Sequence, residues 1–68
     1  MPKSATPRNI VKILQQHGFL LKRTRGSHQI FQHPENKRRV LVAFHEKDIP
    51  KGTLHAILEQ AGLSLDDL

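Results

Sequence analysis

Between Phe19 and Phe44 the chain offers three strand-length runs with very little between them. Phe19-Leu20-Leu21-Lys22-Arg23-Thr24-Arg25 closes on Gly26-Ser27, and His28-Gln29-Ile30-Phe31-Gln32-His33 closes on the breaker Pro34-Glu35-Asn36-Lys37. The third run, Arg39-Val40-Leu41-Val42-Ala43-Phe44, is rich in β-branched residues. A parallel crossover takes about a dozen residues or more. Gaps this short can only reverse the chain, so an antiparallel meander is expected.

Helical patterns flank the meander. Met1 to Ala5 reads as a frayed lead-in. Thr6-Pro7 supplies a hydroxyl at the N-cap and a proline at the first helical position. Ile10, Ile13, Leu14 and His17 then recur at helical spacing, with Val11 widening the stripe, and Gly18 suits the residue just past the end. The first helix is expected from about Pro7 to His17. Pro50 and Gly52-Thr53 announce a second, with Leu54, Ile57, Leu58 and Ala61 on one stripe and Gly62 as its stop. Leu63 to Leu68 suits a last short turn, with Ser64 as cap and Asp66 and Asp67 where the helix dipole favours them. The order is α-β-β-β-α, an α+β fold in which both helices cover one face of a three-stranded antiparallel sheet and leave the other open. The 68 residues make room for one domain, with no internal repeat or linker.

Charge says what such a domain meets. Residues 1–45 carry nine Lys/Arg and one acid, a net of +8, while residues 46–68 carry two lysines and five acids, a net of −3; together these give +5. A positive field concentrated on the first two thirds suits a polyanion that sheds counterions on binding. Phe19, Phe31 and Phe44 are the only aromatic rings, too few for a stacking platform. The chain has no cysteine, no apolar run long enough for a signal peptide and no bilayer-length segment, so a bacterial-type cytoplasm is the expected compartment and no membrane partner is expected.

Strand parity sends His28, Ile30 and Gln32 one way and Gln29, Phe31 and His33 the other. Phe31, the largest apolar group, points its set toward the helices and leaves His28 on the open face, although Ile30 competes for the core with the opposite parity. Gly26 lets backbone approach a phosphate closely, and the Ser27 hydroxyl and free amides can hold its oxygens. Lys22, Arg23 and Arg25 lie just upstream, and Lys37, Arg38 and Arg39 lie in the next turn. The alternative is an ordinary hairpin turn with a surface histidine.

Taken together, Gly26-Ser27-His28, Phe31-Gln32-His33-Pro34, Val42-Ala43-Phe44-His45, Ile49-Pro50-Lys51-Gly52-Thr53-Leu54, Ile57-Leu58 and Ala61-Gly62-Leu63-Ser64 resemble the HicA toxin family. The resemblance runs from about Thr6 to Leu68, and residues 1–68 are read as a single HicA-like toxin domain. It implies a double-stranded-RNA-binding-like fold, a messenger-RNA endonuclease of a type II toxin–antitoxin system, and a cognate HicB antitoxin. It also implies that His28, in Gly-Ser-His, is the catalytic histidine. The family often carries proline where Ala43 stands.

RNA brings its own nucleophile, the 2′-hydroxyl beside the scissile phosphate. An imidazole, whose ordinary pKa is about 6.5, can take or give that proton near neutral pH. His28 is therefore expected to act as general base or acid, with Gly26, Ser27 and Lys22 or Arg25 holding phosphate. No metal or other cofactor is expected, and a 2′,3′-cyclic phosphate end is. His45 is either a second proton carrier or RNA contact, or a solvated strand-end residue. His17 is expected to finish the first helix's stripe, His55 to lie on the surface, and His33 to face inward or cap its turn. A metal reading of the five histidines fails on spacing: His28 and His33 leave opposite faces, and Glu46 and Asp48 have no partner carboxylate. Two other functions remain open, a non-catalytic RNA-binding module of the same fold and an adaptor whose basic face meets an acidic protein. Leu63, Leu65 and Leu68 serve either as a packing tail or as part of an antitoxin-docking surface.

Overall fold

The computed structural model describes residues 5–44 and 48–67. Helix α1 (Pro7–Gln16) starts as its residues dictate: Thr6 is extended, with φ −90° and ψ 158°, and its Oγ1 accepts the Asn9 amide at 3.2 Å. It stops at Gly18, whose φ of +91° turns the chain back. Gly18 N donates to Gln15 O at 3.1 Å and Phe19 N to Leu14 O at 2.9 Å, the paired bonds of a Schellman stop. Helix α2 (Lys51–Ala61) ends with the same device: Gly62 has φ +73°, and the Gly62 and Leu63 amides donate to Glu59 and Leu58. In each stop the residue after the glycine, Phe19 or Leu63, folds back onto its own helix and joins the core.

Three strands lie between the helices: β1 (Leu20–Arg25), β2 (His28–Gln32) and β3 (Arg39–Ala43), antiparallel in the order β1-β2-β3. Phe31 pairs with Val40, and Val42 shares its face. These three residues are at most 1% exposed and pack with Ile10, Leu14, Phe19, Leu54, Ile57 and Leu58, so both helices cover one side of the sheet. Leu41, between the two buried valines, is 49% exposed, which marks the other side as open. The α-β-β-β-α order and the meander are as the sequence implies.

The register carries one irregularity. Leu21 pairs with Phe31 and Arg23 with Ile30, leaving Lys22 as a bulge in β1. The bulge switches which alternate residues of β1 face outward. Toward Arg25 the outward residues are Arg23 and Arg25; before the bulge the outward residue is Leu20.

Two local expectations change. Ala5 belongs to the core, 2% exposed, and its carbonyl accepts the Ile49 amide at 2.8 Å, so the chain is anchored one residue before the helix cap rather than frayed there. His17 does not extend the apolar stripe. The reversal at Gly18 sends Phe19 into that place, and His17 turns outward, with its Nε2 3.9 Å from Asp67 Oδ1. After α2, Ser64 donates through both its amide and its hydroxyl to Asp67 Oδ2 and caps a 3₁₀ turn over Leu65–Asp67. Leu65 is exposed. Among the described residues, no helix is long and apolar enough to cross a membrane.

Candidate active site and nucleic-acid interface

His28 opens β2 on the face away from the helices and is exposed. Across the ladders it stands between Arg25 on β1 and Ala43 on β3. The tight β1–β2 turn is Gly26-Ser27; Gly26 has φ +59°, a left-handed value that glycine adopts without strain. A Cβ built at Gly26 would meet nothing within 4 Å, so the turn stands clear in solvent. Its far side is pinned, because the Phe44 amide donates to the Ser27 carbonyl at 2.7 Å. The Ser27 side chain and the Gly26 backbone therefore flank an imidazole presented on a fixed strand end.

The outward-facing residues form three rows. Arg25, His28 and Ala43 make the first, and Arg23, Ile30 and Leu41 the second. Leu20, Gln32 and Arg39 make the third, joined by Lys22, whose Nζ donates to Gln32 Oε1 at 2.7 Å. None of the three strands carries an acidic residue. Of the residues expected to gather at His28, the structure brings Arg25, Gly26 and Ser27 together. Lys22 sits at the other end of β2, about 13 Å along the strand at some 3.3 Å per residue. His45 lies outside the described residues.

The remaining histidines have clear places. His33 both faces inward and caps its turn. Its Nδ1 accepts the Glu35 amide at 3.1 Å and the Asn36 amide at 3.4 Å, and its ring meets Phe19 edge-on at 5.3 Å. His55 is exposed, as expected. Among the described residues, no three of His, Cys, Asp and Glu are grouped so as to hold a metal ion. Arg38 turns away from the open face to the end of α2, where its Nη1 donates to Gln60 O at 3.3 Å. A separate hollow of about 410 Å³ is lined by α2 and the segment after it, including Leu58, Leu65, Glu59 and Asp66.

The sequence names Arg23 and Arg39 only as part of the basic surroundings of His28 and gives neither a role of its own. They line a small cleft of about 80 Å³ with Lys22 and Ile30. Arg39 was legible, since it alternates with the buried Val40 and must face outward. The joint placement of Lys22 and Arg23 on one face depends on the bulge, which has no marker in Leu21-Lys22-Arg23.

No curated protein matches the chain. The family model described as the HicA toxin of bacterial toxin–antitoxin systems matches residues 7–63, a span that runs from the first residue of α1 past the Schellman stop of α2 and includes Gly26-Ser27-His28. The chain belongs to the HicA toxin family.

Proposed function

We propose that this toxin is an endoribonuclease that cleaves messenger RNA, with His28 as general acid–base and without a metal. The observation that carries the reading is the position of His28: exposed at a strand end, opposite Arg25, next to the open Gly26-Ser27 turn, on a sheet face without acids. In this scheme Gly26, Ser27 and Arg25 hold the scissile phosphate. His28 then takes the 2′-hydroxyl proton or gives one to the leaving 5′-oxygen, and water exchanges the other proton. The 2′-oxygen bonds to phosphorus, the P–O5′ bond breaks, and a 2′,3′-cyclic phosphate remains. Acid–base help of this kind is worth roughly 10²–10⁴-fold. Arg25 adds charge stabilisation as negative charge builds on the phosphate oxygens. His45, from the same motif set, is kept as an RNA contact in the scheme. Family membership implies a HicB-type antitoxin as the protein partner, and messenger RNA as substrate fits the basic face.

A second reading is favoured by one feature of the site: among the described residues no hydrogen bond orients the His28 imidazole. In that reading the chain is an RNA-binding module of the same fold, and His28 only contacts the 2′-hydroxyl or a phosphate.

Induced expression of wild type and His28→Ala in a bacterial host separates the two. Growth arrest, fragmented messages and cyclic-phosphate ends with wild type alone are the expected result, with cleavage by the purified protein surviving a chelator. Full cleavage by His28→Ala, or loss of cleavage in the chelator, defeats the scheme. A wild type that binds RNA and never cuts it establishes the second reading.

A further inference from the structure

The three-cation cleft at the far end of the open face is outside the site described above. We propose that Lys22, Arg23 and Arg39 form a phosphodiester subsite for a neighbouring nucleotide, so that single-stranded RNA lies along β2 from His28 toward Gln32. The inference rests on His28 being the cleavage point, because the path is measured from that residue.

The cleft is built from opposite sides. Lys22 and Arg23 reach it from β1, Arg39 reaches it from β3, and Ile30 on the central strand lines it. The bulge at Lys22 is what puts two consecutive cations of β1 on one face. The bond from Lys22 Nζ to Gln32 Oε1, at 2.7 Å, holds that ammonium over the centre of the sheet. Gln32 is steadied in turn by its Nε2 donating to the Lys37 carbonyl at 3.4 Å. Three like charges at one small cleft repel one another unless an anion joins them. No acid on the three strands supplies one. The volume, about 80 Å³, is enough for a few waters or a tetrahedral oxyanion.

Spacing gives the path. Ile30 lies about 6.6 Å from His28 along the strand and Gln32 about 13 Å, at some 3.3 Å per residue. An extended polynucleotide repeats its phosphates on a comparable interval, so a phosphate at the cleft belongs to a nucleotide one or two positions from the cut. Ile30 and the exposed Leu41 are cross-strand partners and form an apolar strip between the two cationic rows. Only an unpaired base can turn its flat face to that strip, which makes a single strand the ligand.

The test compares an RNA dinucleotide with a hexanucleotide containing the same cleavable step. Arg39→Ala and Arg23→Ala are expected to lose kcat/KM on the hexanucleotide by roughly fivefold more than on the dinucleotide, carried in KM, the worth of about one exposed phosphate contact. The slope of log KM against log salt should flatten by about 0.7 on the hexanucleotide. Arg39→Lys should restore most of the loss, and both residues are exposed, so the variants are expected to keep the wild-type melting temperature. Equal penalties at both lengths, no penalty at either, or equally fast cleavage of a duplex overturns the proposal. So does a loss of antitoxin binding with RNA kinetics intact, which would make the cleft a protein-docking feature. If wild type does not cleave, the reading of His28 fails separately. The subsite is then decided by anisotropy with 2′-O-methyl RNAs of the two lengths, where the same length-dependent loss supports it and its absence sinks it.

Discussion

His33 lies so close beneath Gly18 that a Cβ at Gly18 would fall 2.9 Å from His33 Nε2. Two turns that are far apart in sequence therefore lock together, with Phe19 edge-on to the same ring. Gly18→Ala meets two penalties, a left-handed backbone at φ +91° and the clash with His33. A loss of about 2–3 kcal/mol is expected by urea unfolding, of which about 1–2 kcal/mol is the backbone term. In the Gly18→Ala/His33→Ala double variant the clash is gone, so the combined loss should fall short of the sum of the single losses. Strict additivity would show that the two residues do not press on each other.

The two faces of the sheet can be weighed against each other. Phe31 is 1% exposed and Leu41 is 49% exposed. Phe31→Ala should cost about 3–5 kcal/mol and leave so small a domain largely unfolded at 25 °C. Leu41→Ala should change stability by no more than about 0.5 kcal/mol. Circular dichroism melts decide this, and comparable losses at the two positions would contradict the sidedness described.

Arg38 spans from the β2–β3 turn to the last turn of α2. Its guanidinium donates to the Gln60 carbonyl, and its Cζ would lie 3.2 Å from a Cβ at Gly62. Arg38→Met keeps much of the stem and removes the donor and the charge from a helix C-terminus. Since the bond is solvent-exposed, a loss of about 0.5–1 kcal/mol is expected in denaturant melts. RNA cleavage by this variant should stay near wild type, because Arg38 points away from the open face. A tenfold fall in cleavage with an unchanged melt would move Arg38 into the interface.

RNA affinity should depend steeply on salt. Lys22, Arg23, Arg25 and Arg39 share the open face, and each phosphate neutralised on a single strand contributes about 0.7 to the slope of log K against log salt. Four contacts give a slope of about −3. The three phenylalanines are absent from that face: Phe19 and Phe31 are buried, and Phe44 packs against the core. With no phenylalanine on that face for bases to stack on, little affinity should survive at high salt. A nearly flat salt titration with retained affinity would show that charge is not what holds RNA here.

Most of the fold was legible because it follows from local rules. Gly18 and Gly62 sit where left-handed stops are needed, Thr6-Pro7 starts a helix, and the gaps after Arg25 and His33 are too short for anything but reversal. The orientation of His28 was legible through Phe31: two side chains of opposite parity on one strand cannot share a face, and the larger apolar one won the core from Ile30. Lys22 shows where this kind of reasoning stops. Closeness in sequence grouped Lys22 with His28, but it lies three residues before Arg25 along β1, and its ammonium donates to Gln32 at the other end of β2; the bulge decides only that it faces outward there. His17 failed for a related reason. Periodicity assigned it to the helix, while the reversal at Gly18 gave the vacant core position to Phe19.

The pinning of Ser27 by Phe44 reaches beyond the turn itself. One hydrogen bond couples the loop that precedes His28 to the residue where β3 gives way to the connection toward α2, and Phe44 is also packed against the interior. The turn is thus tied to the hydrophobic interior, although it stands in water. Outward-facing side chains of the sheet can therefore be exchanged without rebuilding the backbone support of the turn before His28.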